Sequence, residues 1–362
     1  MKNFVLIFLV VIVAATIAFV AWQENQEPPE EINLKLQLKA GESHEMKLTS
    51  SQKITQTVKD QQHRINVQAE MVIGFDVLNV DSNGAMDVKL FYKAMKLKTD
   101  DPKQKADFDS ANPKPIEPNE LLERAVAEMF SAVIGNKLSM KISPAGQTSD
   151  IKGFEPAIAK YEVAMAKYGE ELNKRPVMDM NNIDPKSEEF SKKMEKIMAE
   201  HYRLLMLEEL CKSIFSSLVM DTREMVDCII MKFPDGRTSV GCEWQGKSWL
   251  NMGFLAVADT TYKFKRRENG RVYIDAISDL DMGKDLRITE ITSREKRLKR
   301  ISGARTSSNI VDEATGLLQR SEAISRFSGI EKIEPDKATL PIRPDMTIQI
   351  GLEGSTVIEV IK

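Results

Sequence analysis

The stretch from Arg64 to Val77, RINVQAEMVIGFDV, decides the fold. In it Ile65, Val67, Ala69, Met71, Ile73, Phe75 and Val77 alternate with Arg64, Asn66, Gln68 and Glu70. A period of two sends successive side chains to opposite faces of a strand, so one face meets a core and the other meets water. Ser82, Asn83 and Gly84 then tolerate positive φ, and Met86, Val88, Leu90 and Tyr92 resume the alternation. The two runs therefore predict an antiparallel hairpin. Upstream, His44 to Lys59 pairs with the first run across Asp60 and Gln61, and its weak apolar content marks it as an edge or solvated strand.

Downstream the period changes. Asn119 suits an N-cap, and Leu121, Leu122, Ala125, Val126, Met129, Phe130 and Val133 recur at helical spacing until Gly135 stops the run. Leu138, Met140 and Ile142 return to period two, and Pro144 to Gln147 turns into a short partner strand. From about 154 to 225 the pattern is mainly helical: Pro156 fits a first helical position and Asp184-Pro185 a second start. One bent helix or two packed ones fit this interval equally. Beyond Val226 short strands resume around turns at Asp235-Gly236, Glu268 to Gly270 and Asp312 to Gly316. The expected class is α+β: a large antiparallel sheet, with an open half-barrel as one form of it, and a central helical insertion packed over it in a single domain spanning 32–362.

The amino terminus sets the expected compartment. Phe4 to Trp22 carries no charge and is close to the ~20 residues a helix needs to cross hydrocarbon. Lys2 precedes it and Glu24, Glu27, Glu30 and Glu31 follow, a bias that keeps the start of the chain cytoplasmic. Residues 1–22 are read as a signal anchor of the inner membrane, with the domain facing the periplasm or outside; if Thr16-Ile17-Ala18 is cleaved instead, the domain is secreted. Residues 23–31, with Pro28 and Pro29, form an acidic linker.

Composition narrows the chemistry. A net charge of -3 leaves no basic excess to track phosphates, so nucleic acid is not an expected partner. Three histidines, His44, His63 and His201, are scattered, and no G-x-S-x-G, H-E-x-x-H or phosphate-cradling loop occurs. No catalytic set, metal or cofactor is therefore expected. Asp279, Asp281, Asp285 and Glu290 have the spacing of a calcium loop, but Lys284 occupies the turn position that needs glycine, and an acidic hairpin loop accounts for them better. The basic residues Arg294, Lys296, Arg297, Lys299, Arg300 and Arg305 suit either anionic headgroups or, more simply, a solvated hairpin or edge strand.

Cys228 and Cys242 stand at equal distances from Asp235, which would set them opposite one another in a hairpin. They form a candidate disulfide in an exported chain, with two buried free thiols as the alternative. Cys211 and His201 share an apolar helical face and read as core residues. Trp244, Trp249 and Phe254 fit a core better than a pocket.

Leu36 to Gly41 and Gln52 to Val58 resemble the start of an uncharacterised bacterial family of exported β-rich proteins, a domain of unknown function. Phe108-Asp109-Ser110, Ser143 to Gly146, Val240-Gly241 with Trp244, and Asp312 to Leu317 are similar to it as well. The resemblance implies export and a β-rich fold, and brings no activity. The layout of long strands and covering helices is also similar, in architecture alone, to the periplasmic lipoprotein-carrier superfamily, whose open half-barrels hold acyl chains.

Together these readings point to a non-enzymatic binding or scaffold protein of the cell envelope, touching the membrane through its first segment and a partner that is an envelope protein or an apolar ligand. A lipid or apolar-ligand carrier is the alternative, favoured by the stripe from Ile65 to Val77 and the methionines Met165, Met194 and Met198. A hydrolase ranks third.

Overall fold

The computed structural model describes residues 30–58, 60–100, 107–114, 127–128, 130–160, 162–163, 166, 226, 229–251, 255–282, 287–291, 295–335 and 346–361. Phe4–Trp22, Asn119 and most of the helical interval 154–225, including Met165, Met194, Met198, His201 and Cys211, lie outside them. Among the described residues no helix is long and apolar enough to cross a membrane. Helical residues are few there: 127–128 and 130–133 before Gly135, then 155–160, 162–163, 166, 226 and 229.

The rest is one open antiparallel sheet of 13 strands. In chain order they are β1 (Ser43–Val58), β2 (Gln61–Val80), β3 (Met86–Thr99), β4 (Asp107–Asp109), β5 (Lys137–Ile142), β6 (Thr148–Lys152) and β7 (Glu243–Asn251). β8 (Leu255–Glu268), β9 (Arg271–Asp281), β10 (Arg287–Ile291), β11 (Glu295–Asp312), β12 (Leu318–Pro335) and β13 (Met346–Val360) complete it. The spatial order is β6-β5-β3-β2-β1-β13-β12-β11-β9-β8-β7, with β4 on β3 and β10 on β11. Two meanders, each built from strands that are consecutive or one element apart in sequence, are thus joined strand to strand by the pairing of β1 with β13.

The hairpins follow the turn chemistry. Asp60 (φ 66) turns β1 into β2, Gly84 (φ 81) β2 into β3, and Asn269 and Gly270 (φ 51 and 69) β8 into β9. The expectation that His44 to Lys59 forms an edge is corrected, since β1 lies between β2 and β13 and is paired on both sides. Its polar content reflects a different cause: beyond Leu48 the inward positions Ser50, Gln52 and Gln56 are only half-buried, so they carry little apolar demand.

The core explains why the sheet rolls. Residues 30–40 form no strand, yet Leu34, Leu36 and Leu38 are buried among Ile73, Phe75, Met86, Leu90 and Met140 from one meander and Phe264, Val272, Ile274 and Val311 from the other. Ile32 and Thr238 exchange two backbone hydrogen bonds of 2.8 Å, Leu36 N–H donates to Pro144 O at 2.8 Å, and Gln37 N–H donates to Thr315 O at 2.7 Å. A backbone segment that would otherwise bury unpaired amides is satisfied by turns from both halves of the sheet. On the other side Phe233 N–H donates to Ala145 O and Lys232 Nζ to Gly146 O, drawing residues 230–233 against the β5–β6 turn.

Two substitutions test this arrangement. Leu36→Ala opens a cavity under both meanders and is expected to cost about 2–5 kcal/mol. Gly316 (φ 70) packs so closely that an added Cβ would lie 2.1 Å from Lys35 O, whereas Gly236 (φ 102) has nothing within 4 Å. Gly316→Ala is therefore expected to lower the urea midpoint clearly more than Gly236→Ala, whose cost is backbone strain alone, about 1–2 kcal/mol.

Candidate functional site on the inner face

Strand register places the inward side chains in rows that run across the strands. Nearest the core, Leu48, Ile358, Ile274 and Phe264 continue the apolar packing, interrupted by Ser321 and Asn309. Next come two rows of short, mostly polar residues that include Ser50, Thr356, Ser307, Ser325, Ser278 and Thr260, with Arg305 half-buried among them. Beyond these an apolar row crosses the sheet: Ile65, Ile54, Leu352, Phe327 and Leu280, with Gly303 between the last two. Ala258, Leu280, Met282, Ile301 and Phe327 form a second buried cluster, separate from the main core.

The hydroxyl and amide groups of Thr260, Ser278, Asn309 and Ser321 serve one another or the backbone. Asn309 Nδ2 donates to Ile274 O at 3.0 Å and Ser307 Oγ at 3.1 Å, and its Oδ1 accepts from Ser321 Oγ at 2.7 Å. Thr260 Oγ1 donates to Ser248 Oγ at 2.9 Å and lies 2.8 Å from Ser278 Oγ. Hydroxyls satisfied in this way stabilise strand pairing, and no imidazole or carboxylate stands among these contacts to activate them.

Farther out, Lys299 and Glu331 face each other across β11 and β12. Their side chains are 9% and 6% exposed, with Nζ 3.5 Å from Oε1. The basic residues Lys296, Arg297, Lys299, Arg300 and Arg305 thus belong to a strand paired by β12 along its length and by β9 and β10 on its other side. The expected edge or exposed hairpin is corrected on that ground. Alternating phase accounts for it: Lys299 and Arg305 share the inner face with Ile301 and Asn309. Arg294 lies outside the described residues.

Shifted ionisation belongs mainly to the outer face. Glu70 is held below the usual carboxylate range by a hydrogen bond from Lys47 at 2.9 Å, assisted by Lys96. Asn66 lowers Asp100, and Glu243 raises Lys263. Asp279 and Asp281 are exposed outward residues of β9, Glu290 lies in β10 and Asp285 lies outside the described residues. Among the described residues no group of three or more His, Cys, Asp or Glu is placed to hold a metal ion. His44 stacks on Phe75 with centroids 5.0 Å apart and has Nε2 3.6 Å from Glu42 Oε2, while His63 is exposed.

Residues 230–242, which include one arm of the hairpin expected to oppose Cys228 and Cys242, form no strand. Phe233 bonds Ala145 and Thr238 pairs with Ile32, so the arms on either side of Asp235 are taken by other segments. Cys242 is an exposed free thiol, and Cys228 lies outside the described residues. Trp244 stacks on Tyr262 at 5.4 Å, donates Nε1–H to Lys232 O at 3.0 Å and packs against the main core. Trp249 is placed in β7, and Phe254 lies outside the described residues.

The model of a family of unknown function, DUF6263, matches residues 83–201, less than half of the chain, and the chain is similar to that family there. That match takes in Phe108-Asp109-Ser110 and Ser143 to Gly146, and stops short of Val240-Gly241 and Asp312 to Leu317. No curated protein matches the chain. Among solved structures, the crystal structure of Pseudomonas aeruginosa OpdQ is similar at 6% identity over 89% of this chain and 100% of that one, with a TM-score of 0.17. A likeness that slight carries no conclusion about fold or activity.

Two outcomes are expected. Lys299→Met takes a cationic partner from a buried carboxylate and is expected to destabilise by up to about 3–5 kcal/mol, while the double variant Lys299→Met, Glu331→Leu regains most of the loss in urea unfolding. At Cys242, hydrogen bonding from Ser239, whose Oγ lies 3.4 Å from Sγ, lowers the thiol pKa. Ser239→Ala should move the pH profile of alkylation by iodoacetamide upward, because less thiolate then exists at a given pH.

Proposed function

We propose that this chain is a non-enzymatic binding protein of the bacterial cell envelope, tethered through Phe4–Trp22, whose binding surface is the inner face of the long strands. The observation that carries this reading is the network of hydrogen bonds among four polar groups of the inner face. Thr260, Ser278, Asn309 and Ser321 are engaged with each other or with backbone, the arrangement of a surface that holds shape. The acidic linker and the apolar first segment supply the tether.

A second reading, carriage of an apolar or amphiphilic ligand, has its own support. The row from Ile65 through Leu352 to Phe327 lies apart from the core and runs beside a band of short polar residues, so an acyl chain and its headgroup would each find matching surface.

The test places a photoreactive side chain at Val67, half-buried on the inner face of β2. In intact cells the binding-protein reading expects one protein adduct at this position, retained in the Thr260→Ala, Ser278→Ala variant. Lipid adducts alone, with lipid co-purifying in native mass spectrometry, would replace it with the carrier. Loss of a defined turnover in the hydroxyl variant would replace both with an enzyme.

A further inference from the structure

The place where the chain enters the fold is fixed within a few residues. Arg267 donates Nη1–H to Glu30 at 2.5 Å while its Nε–H and Nη2–H grip Glu313 at 2.7 and 2.6 Å. Arg237 lies 3.9 Å from Glu31, and Ile32 is locked to Thr238 by the two backbone bonds. Exposed ion pairs alone would hold a tether weakly. Here they continue directly into Leu34, Leu36 and Leu38, which are buried between the meanders. The entry point therefore cannot slide along the sheet without unpacking the core.

That point sits at one end of the strands. Arg267 is the penultimate residue of β8, beside the β8–β9 turn, and Glu313 lies in the β11–β12 turn. The β1–β2 turn at Asp60 is at the opposite end. Register gives the separation: Ser51, Ser355, Ile324, Thr306 and Ile277 stand in one row across the sheet. Asp60 lies on one side of this row and Gly270 on the other, on the order of 50 Å apart at ~3.3 Å per residue.

We infer that the surface facing the lipid bilayer is the core end of the sheet, with the β8–β9 and β11–β12 turns lowermost. The far halves of β1, β2, β11, β12 and β13, and the inner-face rows they carry, then point away from the membrane. This rests on the tethered reading above. The linker of residues 23–29 reaches only about 20 Å even when extended at ~3 Å per residue, less than half the separation of the two ends. The linker thus keeps the core end within about 20 Å of the lipid surface, whereas the rim at the Asp60 end is under no such restraint.

The full chain, with its three cysteines replaced by serine and a single cysteine introduced at Asn269 or Asp60, is reconstituted in phosphatidylcholine–phosphatidylglycerol vesicles and labelled with a fluorescent donor. Energy transfer to an acceptor on the lipid headgroups is expected to be several-fold greater from position 269 than from position 60. Equal transfer, or greater transfer from 60, in protein that floats with the vesicles overturns the orientation and leaves the tether standing. Protein that fails to float, or is released by alkaline carbonate, overturns the tethered reading and the orientation with it. A far-ultraviolet circular dichroism spectrum of β type for both labelled variants establishes that the comparison is between folded chains.

Discussion

Three leucines set in a segment with no strand structure hold this molecule in shape. Leu34, Leu36 and Leu38 are packed between residues of β2, β3 and β5 on one side and of β8, β9 and β11 on the other. A flat sheet of this width would leave one whole face in water, and burying a leucine side chain is worth about 1.5–3 kcal/mol. Rolling the sheet around the segment recovers that energy for strands of both meanders at once. Everything farther along β1, β2, β11, β12 and β13 projects from this packed end, so the geometry of the candidate binding face is inherited from it.

The strands were legible because their faces differ in polarity. Ile73, Phe75 and Val77, then Met86, Val88 and Leu90, are buried at each alternate position, as the sequence period requires. Turns at Gly84, Asn269-Gly270 and Gly316 were legible from residues that accept positive φ. Sheet order was not, because β1 is only weakly apolar beyond Leu48 and periodicity contains no term for which strand a neighbour will be. Its place between β2 and β13 comes from a pairing separated by nearly the whole chain.

The candidate face was harder to read for a related reason. Lys299, Arg305 and Glu331 look like solvent-facing residues by type, yet their phase with Ile301, Phe327 and Ile333 assigns them inward. Phase was the available signal, and residue type masked it. The same holds for Asn309, Ser321 and Thr260, polar residues in phase with Val311, Ala323 and Phe264 on their own strands. Between the spacing of Cys228 and Cys242 and their pairing stand residues whose backbone partners are elsewhere, Phe233 on Ala145 and Thr238 on Ile32, and no sequence period announces those.

The splice between β1 and β13 has a bearing on how the molecule comes into being. The other neighbouring pairs join strands that are consecutive or one element apart and can form as the chain emerges, whereas this seam must wait until the final strand has been synthesised and has found the first. Until then two half-sheets persist with raw margins, the condition in which β-rich chains aggregate. Such a chain gains from being kept extended until it is entire, which is also the state in which a polypeptide is threaded through a translocation pore.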